Sequence, residues 1–159
     1  MKIAHPLVIF LTLLTTISLA VGYLFPTQIA PFAFSPTIYL LLCIAMAGHL
    51  LEENFTKAWE MEAKLRKNAD GTPKEQLGRN FLVAFSHVLI LLSFLFYFPV
   101  TAGAPWAIIY GIGVAFNGIL NGVAHTAILI KFRKNTGFIS GLFLLVLGIL
   151  LLVSIGAPY

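Results

Sequence analysis

Apolar residues run in five stretches near the length, about 20 residues, that a helix needs to cross the hydrocarbon core of a bilayer. They occupy 7–25, 36–53, 80–98, 105–130 and 137–155. A chain built this way cannot offer water a polar exterior, which narrows its fold class to an all-α polytopic membrane bundle of five transmembrane helices. In such a helix every backbone N–H and C=O of the span is paired internally. Only 10% of the residues are charged and the mean hydropathy is +0.94, against roughly 25% charged in soluble domains. At 159 residues the chain is one membrane domain. Proline marks the turns, with Pro26, Pro31 and Pro36 after the first run and Pro99 and Pro105 around the third connection, because proline cannot continue a helix from the preceding turn.

The basic residues orient the bundle. Lys2 precedes the first run; Lys57, Lys64, Arg66, Lys67, Lys74 and Arg79 separate the second and third; Lys131, Arg133 and Lys134 separate the fourth and fifth. The other connections carry no lysine or arginine. Five spans put every basic segment on one side, the cytoplasmic side by the positive-inside rule. The N-terminus is then cytoplasmic and the C-terminus external, as expected for a multi-pass protein of a bacterial inner (plasma) membrane. The net charge of +4 and pI near 9.4 follow from this topology. With glutamates interspersed among the basic residues, no nucleic-acid partner is expected.

Two segments admit further readings. Ser18-Leu-Ala20 resembles a signal-peptide cleavage site, but residues 21–25 carry the apolar run on, and an uncleaved helix is expected. After 53, Phe55, Ala58, Trp59 and Leu65 recur at helical spacing, and Glu53–Lys57 and Glu60–Lys64 are favourable i,i+4 pairs. The second helix is expected to extend along the interface to about residue 67, ended by the turn chemistry of Asp70-Gly-Thr-Pro73. The single cysteine, Cys43, excludes an intrachain disulfide.

Ionisable groups at the edge of a membrane span are costly and therefore mark function. His49, Glu52 and Glu53 close the second run, and His87 and His125 lie in the third and fourth. At about 1.5 Å per residue the three histidines sit at similar depths, all within about 10 Å of the cytoplasmic end. His49 shares a helix face with both Glu52 and Glu53, but the two carboxylates diverge by about 100°. Asn117, Asn121 and His125 form a polar stripe at i, i+4 and i+8. Beside it lie the small residues Gly111, Ala115, Gly118 and Gly122, with Gly137 and Gly141 on the fifth run. Such faces allow close helix approach within a chain or in a homo-oligomer. Plainer roles also exist: Glu52 and Glu53 as a solvated helix end paired with Lys57, the histidines and asparagines as interhelical hydrogen-bonding groups, and His5 as an interfacial residue.

His49-Leu-Leu-Glu52-Glu53 resembles the signature of the HXXEE family of small integral membrane proteins. Asn121-Gly-Val-Ala-His125 is similar to that family's later Asn-x-x-x-His, and Lys134-Asn-Thr-Gly137 stands where it has Tyr-x-Pro-Gly, retaining only the glycine. The resemblance covers about residues 37–155 and leaves the first helix as an addition. It implies a membrane protein suspected of enzymatic activity.

The residues support a membrane enzyme whose site opens near the cytoplasmic leaflet and takes a lipid-like or isoprenoid substrate. In a metal-dependent version, His49, His125 and one of Glu52 or Glu53 bind Zn²⁺ or Fe²⁺, with His87 as a further ligand. The remaining glutamate is then general base toward a water at the metal. Without a metal, a glutamate and a histidine act as an acid–base pair. Asn121 and Asn117 would orient the substrate. No GxSxG, HExxH, P-loop or Rossmann pattern is present, which disfavours serine-hydrolase, zincin and nucleotide chemistry. The alternatives are a transporter or sensor that binds a metal or proton without turnover, and a structural scaffold.

Overall fold

The computed structural model describes residues 33–57, 71, 79–133 and 137–155, with 13, 16, 17, 20 and 24. Among these residues the structure is all-helical, with no strand. Helix α1 is Pro36–Thr56, α2 Arg79–Leu95, α3 Tyr97–Thr101, α4 Pro105–Phe132 and α5 Phe138–Val153. Of the expected first span, Leu13, Thr16, Ile17, Ala20 and Leu24 are helical and exposed, and the rest lies outside the described residues.

Helix ends follow local chemistry. Ser35 accepts the Ile38 N–H at 3.4 Å as the α1 N-cap, with Pro36 in the first turn, where its missing N–H costs nothing. At the other end Lys57 adopts a left-handed conformation (φ 53°) and returns its N–H to Glu53 O. The continuous extension expected to about residue 67 is therefore interrupted: α1 closes at Thr56, and 58–67 lie outside the described residues. Pro105 likewise opens α4, and left-handed Arg133 (φ 58°) closes it with an N–H to Leu129 O.

The expected third span is divided. Pro99 lies inside the short helix α3 rather than after the span. Its ring has no N–H to offer Leu95 O and crowds that carbonyl. The chain gives way between, at Phe96 (φ −90°, ψ 8°), although Phe96 N–H still reaches Leu92 O and Val100 N–H reaches Phe96 O, each at 2.9 Å.

α4 and α5 share the broadest interface, and α1 packs mainly on α5 and then on α2. The close approach of α4 and α5 needs glycine: a Cβ at Gly122 would lie 2.5 Å from Gly141 O, and one at Gly148 would lie 2.6 Å from Ala115 O. The small-residue stripe is divided in use. Gly118 and Gly122 meet α5, whereas Gly111 makes room for the Phe34 ring and Val100. The core gathers Phe34, Tyr39, Leu42, Cys43, Met46, Val114, Leu144 and Leu151. It also encloses a polar node near the start of α1. Tyr39 donates to Ser93 O at 3.1 Å, Ser93 and Tyr110 donate to Leu89 O at 2.9 and 3.0 Å, and the Ser93 and Tyr110 hydroxyls lie 3.2 Å apart.

Outward faces are apolar. Ile44 and Leu51 on α1, Leu91 and Leu95 on α2, Leu120 and Ile130 on α4, and Phe143 and Val153 on α5 are all exposed. Among the described residues two helices, α1 (21 residues) and α4 (28 residues), are long and apolar enough to cross a membrane. α5 is as apolar but has 16 residues, about 24 Å at 1.5 Å per residue, short of a bilayer core of roughly 30 Å.

Candidate metal centre

The site forms where α1 and α4 end and α5 begins. Ser35 N–H donates to Ser154 Oγ at 3.3 Å, joining the start of α1 to the end of α5. The opposite end therefore brings the last turns of α1 beside the first turn of α5. Lys57, Lys131 and Arg133 lie at that end too, as the helix termini dictate.

His49, Glu53 and His125 are buried together, at 3%, 8% and 3% exposure. Glu53 Oε1 lies 3.4 Å from His49 Nε2 and 3.2 Å from His125 Nε2. The two imidazoles meet edge to face, with centroids 4.7 Å apart at 90°. One ligand atom from each residue falls within 4.8 Å of the others. His49 Nε2 is outside hydrogen-bond geometry with Glu53 and is a buried nitrogen with no hydrogen-bond partner. In a folded protein such an atom calls for an explanation, an ion being one of the recognised ones. Two imidazole nitrogens and a carboxylate oxygen are donor types that suit Zn²⁺ or Fe²⁺. The residues therefore fit a divalent metal.

The i,i+3 and i,i+4 geometry sorts the two glutamates. Glu53 turns inward to the histidines. Glu52, half-buried, faces α5, where its Oε2 accepts the hydroxyl of Ser140. Ser140 Oγ in turn lies 2.7 Å from His49 Nδ1 and 3.2 Å from Gly137 O. Glu53 is thus no solvated helix end: its charge partners among the described residues are the histidines, at the distances above.

Ser140 was not singled out by sequence reasoning. Its signal was available, since it is the lone polar side chain in Phe138–Val153. The glycines of α5 prove to be part of the site as well as of the packing. Gly137 opens α5 at φ 92°, and a Cβ there would stand 3.0 Å from His125 Cε1 and 3.4 Å from His49 Cε1. A Cβ at Gly141 would lie 3.1–3.3 Å from the His125 side chain.

His87, expected as a further ligand, lies outside the buried group. It is exposed on α2; similar depth did not mean a shared face. Asn117 is buried and Asn121 half-buried along α4, two turns and one turn from His125 respectively.

The fold and site together define a helical bundle with apolar outward faces and a buried two-histidine, one-carboxylate group at its basic end. The sequence model of the family described as "Protein of unknown function with HXXEE motif" matches residues 40–152. The chain belongs to this HXXEE family, and the matched region contains every member of the buried group. No curated protein and no solved structure matches the chain.

Proposed function

We propose that this chain is a five-span integral membrane enzyme, N-terminus cytoplasmic, that holds Zn²⁺ or Fe²⁺ through His49, Glu53 and His125. Its substrate is a lipid-like or isoprenoid molecule reached from the cytoplasmic leaflet. The observation that carries the reading is the buried, unpartnered Nε2 of His49 beside Glu53 and His125. A bound divalent ion would supply Lewis-acid polarisation and a water of lowered pKa. The protein's own contribution is to hold the three ligands near the C-terminal ends of α1 and α4 and to bury both imidazoles from bulk water. Glu52, one helical position from the anionic ligand and only half-buried, is the carboxylate placed to exchange protons with solvent.

The membrane setting is supported by the exposed apolar faces of α1, α2, α4 and α5, which in water would be a large unfavourable patch. The lipid-like substrate follows from that setting, because such a molecule can reach a span-edge site laterally. A transmembrane carrier needs polar groups along its path. Here the buried Leu42, Cys43 and Met46 lie on α1 between the metal-binding end and the Tyr39 node, which favours a one-sided site.

Elemental analysis of the detergent-purified protein tests the metal. About one Zn or Fe per chain is expected in the wild type and none in His49→Ala, His125→Ala or Glu53→Gln. A wild type that stays metal-free after controlled loading overturns it. The enzymatic part is tested by comparing membrane lipid and isoprenoid profiles of cells making wild type or Glu53→Gln. Identical profiles at equal expression would count against turnover.

A further inference from the structure

The hydrogen bonds of Ser140 fix the protonation pattern of His49. Ser140 Oγ has three neighbours: His49 Nδ1 at 2.7 Å, Glu52 Oε2, and Gly137 O at 3.2 Å. A carbonyl oxygen and a carboxylate oxygen that receives a hydroxyl proton both act as acceptors, and a serine has one proton to give. With that proton given to Glu52, Ser140 Oγ is left to act as acceptor toward the ring. His49 then donates from Nδ1. A neutral imidazole protonated at Nδ1 carries its lone pair on Nε2, the nitrogen that is buried without a hydrogen-bond partner. This lone pair confronts Glu53 Oε1 across 3.4 Å. Two acceptors at that distance repel unless a cation lies with them, either a metal ion or a second proton on the ring, and the metal reading takes the first.

We infer that Ser140 and Glu52 are positioning residues that lock the Nδ1–H tautomer of His49 and present its Nε2 lone pair to a divalent cation shared with Glu53 and His125. The inference rests on the metal reading given above and adds two residues that do not touch the ion. Metal-ligating histidines donate their second ring N–H to a carboxylate, carbonyl or water, which orients the ring and raises its basicity. Here a hydroxyl backed by a carboxylate takes that place, and it is supplied from another helix. His49 and Glu52 ride on α1 and Ser140 on α5. The ring is therefore oriented only when α1 and α5 are docked. The HxxEE spacing acquires a physical meaning from this arrangement. The i+4 carboxylate shares the ion with His49, and the i+3 carboxylate, displaced by about 100°, reaches the far ring nitrogen through the serine.

The test uses the full chain in detergent or nanodiscs with Zn²⁺ as probe. Zn²⁺ affinity is measured by competition with a chelating dye in wild type, Ser140→Ala, Glu52→Ala and Ser140→Thr. Loss of such outer partners typically weakens metal binding about 10- to 100-fold. That loss is expected for Ser140→Ala and Glu52→Ala with stoichiometry kept, whereas Ser140→Thr, which retains the hydroxyl, stays within a few-fold of wild type. In parallel, ¹⁵N chemical shifts of labelled histidine report the His49 tautomer. Nδ1–H with bare Nε2 is expected in the wild type and a mixed or reversed population in Ser140→Ala. Unchanged affinity and tautomer in Ser140→Ala, or an Nε2–H tautomer in wild type, overturns the inference. If wild type takes up no Zn²⁺, the metal reading and the inference's ligand role both fall. The tautomer shifts then show separately whether Ser140 orients the ring. Circular dichroism of each variant separates these outcomes from a failure to fold.

Discussion

Glu52 and Glu53 are adjacent in sequence and lie on opposite sides of one imidazole. Glu53 reaches Nε2 of both histidines, and Glu52 reaches Nδ1 of His49 by way of Ser140. The same substitution should therefore have unequal effects at the two positions. Glu53→Gln removes the anionic ligand and should leave no metal after gel filtration. Glu52→Gln keeps an oxygen that can accept from Ser140 and should retain the metal at near-wild-type stoichiometry. Equal losses in the two variants would contradict the division of roles. Glycines at the site are also unequal. Gly137→Ala places a side chain at φ 92° and 3.0 Å from His125 Cε1, a backbone strain of about 1–2 kcal/mol before any displacement of the ring. Gly48, beside His49 in sequence, has open space where its Cβ would stand. Gly48→Ala should melt at or above the wild-type temperature in detergent, by up to about 1 kcal/mol of helix propensity, and Gly137→Ala clearly below it. His49, the glutamates and His125 were legible in the sequence because ionisable groups stand out in an apolar run. Ser140 was overlooked because a lone serine is common in such helices, and its role exists only across a helix–helix contact.

At the scale of helices, hydrophobic runs placed α1, α4 and α5 within a few residues, since each is bounded by a proline, a glycine or a left-handed residue. They were less informative where two constraints competed. The apolar run continues through Phe96 to Phe98, so hydropathy reads one span. Pro99 breaks the ladder one turn earlier, at the Leu95 carbonyl, and yields α2 and α3. The polar and apolar spacing after residue 53 suggested a helix running on, yet Lys57 turns left-handed. The α4–α5 pair gives the sharpest prediction at this scale. A Cβ at Gly122 meets Gly141 O and Leu145, backbone and Cβ atoms that cannot swing away. Gly122→Ala must part the helices, with an overpacking cost of about 1–3 kcal/mol, and Gly141 carries the shift to His125. Thermal unfolding should show the loss, and Zn²⁺ affinity should fall with it. A variant that melts like wild type would mean that these helices are further apart than described.

For the whole molecule, the proposed five-span arrangement would put the His49–Glu53–His125 end on the cytoplasmic side together with Lys57, Lys131 and Arg133. Single cysteines can test this directly, because native Cys43 is fully buried and should stay silent. Ala102→Cys, between α3 and α4, should react with a membrane-impermeant maleimide added to intact cells. Arg133→Cys should react only after permeabilisation. Labelling of both from outside would refute the topology.

The sequence alone determined that the chain is helical, that its outward faces are apolar, and that His49, Glu52, Glu53, His87 and His125 are exceptional. Each of these follows from local periodicity and from the high cost of placing an ionisable group among apolar ones. The tertiary structure decided which of these groups meet. Depth along a helix is set by residue count, but azimuth relative to a neighbour is set by packing. His87 is therefore at the right level and on the wrong face, while Gly122, Gly141 and Gly148 let α5 approach closely enough to deliver Ser140 to His49. Only that long-range contact selects between Glu52 and Glu53 and sets which nitrogen of His49 faces Glu53 and His125.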